Sequence, residues 1–177
     1  MDEREREYRA KIASELAQAD SLVPGADLIA SSGEFFAEVL CVKGEPGPAE
    51  AAGGEALSGP DGEAVAKALC ALGFDPSCVF ATVARSEPDS DPGTVASRIR
   101  AQIEAVDPYV VIALDPVAAH AVSAALSLKD LRPGRVRRLA GREFLALDGL
   151  EASLTDQQRK KRVWRQMKAL TPRGPSM

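Results

Sequence analysis

The chain is short of the residues that most often announce chemistry. Its 177 residues include one histidine, His120, one tryptophan, Trp164, and three cysteines. Cys41, Cys70 and Cys78 are odd in number and contain no C-x-x-C pair. They read as buried or incidental thiols, which argues against a disulfide framework and against a metal site. No apolar run approaches the ~18 residues of a membrane span, so no membrane partner is expected. The opening MDEREREYRAK is charged and no apolar stretch follows it. That reads as the absence of a signal peptide and points to the cytoplasm. No internal repeat is visible.

What is present favours one globular domain. A chain of 177 residues with 45% hydrophobic content can bury a real core. The net charge of −4 hides an asymmetry. Residues 1–131 carry 10 Lys and Arg against 22 Asp and Glu, a net of −12, whereas residues 132–177 carry 12 against 4, a net of +8. A basic end on an acidic protein fits either a nucleic-acid footprint or a pair of solvated faces.

Apolar spacing divides the chain into strands and helices. Tyr8, Ile12 and Leu16 recur at helical intervals over residues 3–19. Residues 1–30 therefore read as a helix and loop packed on the domain, 31–171 as the domain itself, and 172–177 as a disordered tail. Glu38–Lys43 is the first predicted strand, and it runs into the Gly- and Pro-rich loop 44–62. Glu63–Leu72 is a helix stopped by Gly73. Val79–Ala84 is the second strand. Asp91-Pro92 starts a helix that carries Val95, Ile99, Ile103 and Val106. Tyr109–Leu114 is the third strand, and Asp115-Pro116 starts the next helix. Val136–Ala140 and Glu143–Leu147 are two short extended pieces around Gly141. A capping box, Thr155 to Gln158, starts a last helix carrying Val163, Trp164, Met167 and Leu170. Its other face is Arg159, Lys160, Lys161, Arg162, Arg165 and Lys168. The alternation predicts an α/β fold: a three-layer α/β/α sandwich on a four-stranded parallel sheet. Ligands in such folds bind beyond the carboxyl ends of the strands.

Several segments, in order, resemble the uracil-DNA glycosylase superfamily, specifically its small bacterial iron-sulfur type. Pro46-Gly47, Glu50, Gly54, Gly59 and Gly62 match the spacing of that family's first loop. Gly73-Phe74-Asp75 looks like its G-L-D turn, Val79–Val83 its second strand, and Pro108–Asp115 its third. Leu131–Glu151 looks like the stretch leading to the family's His-Pro-Ser motif, and Lys161-Arg162-Val163-Trp164 like its terminal helix. The resemblance covers about Val39 to Leu170 and implies an enzyme that flips uracil out of DNA and cleaves its glycosidic bond.

The residues that would carry this chemistry differ here. The family's Gly-Glu pair falls on Lys43-Gly44, leaving Glu45 one residue late as a candidate catalytic carboxylate. Its stacking Phe is Leu57, its base-reading Asn is Val83, and its His-Pro-Ser is Gly149-Leu150-Glu151. Asp148, next to that motif, is a second catalytic candidate. Gly44, Pro46, Gly47, Leu57, Val83, Gly149 and Leu150 would line the ligand pocket. The third and fourth cluster ligands fall near Ser86 and Val95, and no cysteine precedes Cys41, so no cofactor is expected.

The leading expectation is thus a glycosylase-like protein without the standard catalytic set. It would contact DNA phosphates nonspecifically through Arg132, Arg135, Arg137, Arg138, Lys160 and Lys161. An active divergent glycosylase using Glu45 or Asp148 is an alternative, and so is a protein-interaction module with no DNA role. Glu50 and Asp61 read as acids bonded to amides of their own loop. His120 reads as a packed or surface histidine, and Trp164 as a core anchor.

Overall fold

The computed structural model describes residues 1–129 and 131–172. In chain order the elements begin with α1 (Glu3–Asp20), a 3-10 turn at Gly25–Asp27, β1 (Ser32–Gly33) and β2 (Val39–Lys43). Then come α2 (Pro48–Ala51), α3 (Pro60–Ala71), β3 (Val79–Val83), α4 (Pro92–Val106), β4 (Val110–Ala113) and α5 (Pro116–Leu126). The chain closes with β5 (Arg137–Leu139), β6 (Arg142–Ala146), α6 (Leu150–Ser153) and α7 (Gln157–Met167). The part of the expected tail beyond Pro172 lies outside the described residues.

The strands form one mixed sheet in the order β1-β3-β2-β4-β6-β5. Among the described residues it has six strands, not the four expected. The four inner strands, β3, β2, β4 and β6, are parallel, and the two added edge strands are antiparallel. β5 folds back on β6 through Ala140-Gly141, whose φ angles of 51° and 77° are both positive. That backbone suits the two-residue turn favoured between antiparallel strands. β1 is only two residues long, too short for any periodicity to show in the sequence.

Both faces of the sheet are covered. Successive residues of a strand point to opposite faces. Leu40, Val42, Phe80, Val111 and Phe144 pack against α1, α4 and α5 through Ile12, Leu16, Ile99, Ile103 and Val122. Val39, Cys41, Val110, Ile112 and Leu145 pack against α3 and α7 through Val65, Leu69, Val163 and Met167. This double burial explains why the inner strands read as unbroken apolar runs. Among the described residues, no helix is long and apolar enough to cross a membrane.

Helix starts follow local chemistry. Asp91 and Asp115 accept hydrogen bonds from Thr94 N and Ala118 N, at 2.9 and 2.8 Å, with Pro at the next position. At α7 the capping side chain is Asp156, which accepts from the amides of Gln158 and Arg159, and not the expected Thr155. After β2 the chain goes to β3 on one side, then crosses back over β2 to β4 on the other. The winding reverses at β2, so a crevice is expected between the carboxyl ends of β2 and β4.

Candidate functional site

At this switch point β2 ends on a buried lysine. β2 is apolar until its last residue, Lys43, which is 3% exposed. Its ammonium donates to Glu50 Oε1 at 3.0 Å and Oε2 at 3.2 Å, and to Asp61 Oδ2 at 2.6 Å. Both acids are buried, on α2 and in the first turn of α3. A third carboxylate, Glu151 of α6, lies 3.4 Å away with its side chain 45% exposed. Burial alone would lower the pKa of Lys43, but the hydrogen bonds to Asp61 and Glu50 outweigh it and hold the ammonium above its usual value. Burial likewise acts to raise Glu50, yet Lys43 and loop amides outweigh it and hold that carboxyl below its usual range. The lysine is thus locked as a cation and joins β2, the first loop and the segment after β6.

Loop 44–62 is built on this network. Glu50 accepts from Gly47 N at 3.2 Å and from Leu57 N at 3.1 Å. Asp61 accepts from Gly62 N at 2.9 Å. The expectation of acids bonded to their own loop is therefore half of their role, because Lys43 is their shared partner. Gly44 N donates to Asp115 Oδ2 at 2.9 Å, which ties the end of β2 to the cap of α5. A Cβ at Gly44 would overlap the Asp115 carboxylate, and one at Gly47 would overlap Glu151. Pro46 is half-buried and precedes Gly47, the N-cap of α2.

The anticipated pocket residues are placed around apolar contacts. Like Ile29, Leu57 packs against the buried cluster of Ala56, Ala81 and Val83. It also touches the core cluster that contains Leu150. Leu57 holds a left-handed backbone, φ 58°, a conformation that costs a branched side chain energy. The hydrogen bond its main-chain N–H donates to Glu50 helps to fix it there. The Glu45 carboxylate pairs with Arg85 at 3.2 Å.

A second cleft, of about 650 Å³, opens at the carboxyl end of β3 between the 22–29 segment and the start of α4. Ser86 and Val95, where the family resemblance puts two cluster ligands, both line it. The lining offers hydroxyls, carboxylates, Arg85 and Arg98, but no thiol. Iron-sulfur clusters are held by thiolates, so these residues do not fit one. Among the described residues, no group of His, Cys, Asp or Glu is arranged to hold a metal ion. Arg98 is buried and bonds Val83 O, Ile29 O and Asp20, so it braces the cleft wall.

The two basic segments meet at the carboxyl end of β6. Gly134 N donates to Ala146 O at 2.9 Å, which seats the Arg132–Arg135 turn beside that end. A Cβ on Gly134 would come within 3.0 Å of Gln166 Cγ on α7. Gln166 in turn pins Asp148. It accepts from Asp148 N at 3.0 Å and donates to Asp148 Oδ2 at 2.8 Å. Asp148, the other catalytic candidate, therefore lies against α7 with Arg162 3.6 Å away.

A notch of about 260 Å³ is lined there by Asp148, Gly149, Arg159, Arg162 and Val163. Arg132 and Arg135 are exposed. Arg137 and Arg138 instead run toward the amino end on β5, where Arg138 pairs with the buried Glu143 at 3.2 Å. Lys160 and Lys161 are exposed but lie off the notch. His120 is exposed beside a small cleft, and Trp164 is half-buried under Lys168.

Lys43 and Gln166 went unrecognised in the sequence. A single charge ending an apolar strand was the available signal for Lys43. Gln166 left none. Comparison with protein-family models and with curated proteins finds no match to this chain.

Proposed function

We propose that this is a uracil-DNA glycosylase-like domain that contacts DNA through its phosphates and releases no base. One observation carries the DNA reading: the Arg132–Arg135 turn and α7 converge on the carboxyl end of β6 through Gly134, Gln166 and Asp148. Sequence distance gave no reason for these cations to share one end of the sheet, and it is the end where α/β folds bind ligands. Phosphate contact needs charge and spacing but no base-reading groups.

The reading of no base release rests on the crevice. Lys43 and its carboxylates hold the switch point. Leu57 and Val83 pack in one apolar cluster, and Val83 has no group to bond a base edge. Glu45 is engaged by Arg85. Asp148 Oδ2 accepts from Gln166 at 2.8 Å and lies 3.6 Å from Arg162, so α7 engages this carboxylate.

Two measurements test this. Binding of duplex and single-stranded DNA across a salt series should weaken steeply as salt rises. Single-turnover assays on uracil-, hypoxanthine- and xanthine-containing DNA should show no base release above a protein-free control. Release that disappears in Glu45→Gln would overturn the non-catalytic reading. Absence of salt-sensitive binding at low ionic strength would overturn the DNA reading.

A further inference from the structure

We propose that the notch between the Asp148-Gly149 turn and α7 is a phosphate site, with Asp148 a built-in competitor that limits its affinity. This rests on the DNA-binding reading above and names the group that binds and the residue that tunes it.

Arg159 and Arg162 are three residues apart on α7, so their side chains share one face, and both line the notch. Among the described residues neither guanidinium makes a hydrogen bond. Each has only a loose ion-pair contact at 3.6 Å, Arg159 with Asp156 and Arg162 with Asp148. A guanidinium carries five N–H donors in a fixed fork. Two such forks with open donors over a concave notch suit a group with several acceptor oxygens, and phosphate geometry matches the fork. Gly149 leaves the notch wall without a side chain.

Asp148 is not placed by the arginines. Gln166 grips it at its main-chain N–H and at Oδ2, the same oxygen that faces Arg162. Gln166 is itself backed by Gly134. The carboxylate is therefore fixed at the rim, where its charge opposes an incoming phosphate.

Asp148→Asn isolates this charge. The amide oxygen can still accept from Gln166, and the main-chain bond is untouched. Fluorescence anisotropy with a duplex should show about three- to tenfold tighter binding, the size expected of one unit charge removed about 4 Å away in a water-like dielectric at this exposed rim. Arg159→Gln/Arg162→Gln should weaken binding and lower the slope of log K against log salt by about 0.9, one phosphate. A parallel titration with inorganic phosphate, followed by amide NMR, should shift Gly149 and Arg162, and more strongly in Asp148→Asn. Thermal melts establish that each variant is folded. If duplex binds but none of these substitutions alters it, the notch is overturned and the DNA reading stands. If duplex does not bind while phosphate shifts Gly149, the notch stands as a free-phosphate site and the DNA reading falls. If Asp148→Asn leaves both ligands unchanged or binds them more weakly, its competitor role is overturned.

Discussion

Replacing Lys43 with methionine removes one charge and nearly conserves shape, and it tests the architecture of the crevice directly. Glu50 and Asp61 would remain buried beside each other with their shared counter-ion gone. Breaking a buried pair from one side costs about 3–5 kcal/mol. That is a large share of the ~5–15 kcal/mol that stabilises a typical domain. For a chain of this size the melting temperature should fall by about 6–20 °C.

The pH dependence should also change sign. In the native chain Glu50 sits below its ordinary value of 4.5, so its contribution is present above that pH and is lost as pH falls through the lowered value. Lys43 sits above 10.5, so its contribution is present below that pH and is lost as pH rises through the raised value. Without Lys43 the burial of the two acids is poorly opposed. A carboxyl then binds its proton more tightly folded than unfolded, and the variant gains stability as pH falls from ~7 to ~5, by up to about 1.4 kcal/mol per unit for one proton. Urea midpoints at several pH values, followed by circular dichroism, measure both effects. A loss below ~1 kcal/mol with no rise in stability toward pH 5 would refute the reasoning, because it would mean that the acids are solvated.

Two further outcomes follow from the same structure. Burial pushes the Cys41 thiol up to about 12, while Cys70 is exposed. A thiol reagent near pH 8 should therefore modify Cys70 promptly and Cys41 only on unfolding, as counted by mass spectrometry. A Cβ at Gly62 would overlap the Leu57 carbonyl, whereas one at Gly25 meets nothing within 4 Å. Gly62→Ala should cost at least ~1–3 kcal/mol in urea denaturation, and Gly25→Ala should stay within about 0.5 kcal/mol.

The layers of the fold were legible because they leave long patterns. An inner strand buried on both faces is an apolar run, and the α4 stripe of Ile99 and Ile103 is an unbroken helical repeat. Short elements leave no such trace. α2 and α6 have four residues each and follow turns, so their positions depend on bonds to another element, such as Lys43 to Glu50 and to Glu151. The site was legible as backbone and less so as chemistry. The family spacing marked Gly47 and Gly62, where a Cβ would overlap Glu151 and the Leu57 carbonyl, but not Gly44, which stands where the family has Glu and where a Cβ would overlap Asp115. The convergence of Lys43, Glu50, Asp61 and Glu151 joins residues over a hundred positions apart. The same holds for Asp148 and Gln166, where a neutral side chain fixes the place of a charged one.

The two edge strands have a consequence for how the molecule behaves at high concentration. A parallel sheet ending on a bare apolar strand would offer its unpaired amides to any neighbouring chain. Here one border is Ser32–Gly33, too short to template a foreign strand. The other is Arg137–Leu139, where two adjacent cations face the approach of an identical chain with like charge. β2 and β4 are paired on both flanks, β3 is covered by β1 at Phe80 and Ala81, and β6 is covered by β5 at Arg142–Phe144. A short border on one side and a cationic one on the other both oppose edge-to-edge aggregation of the folded protein.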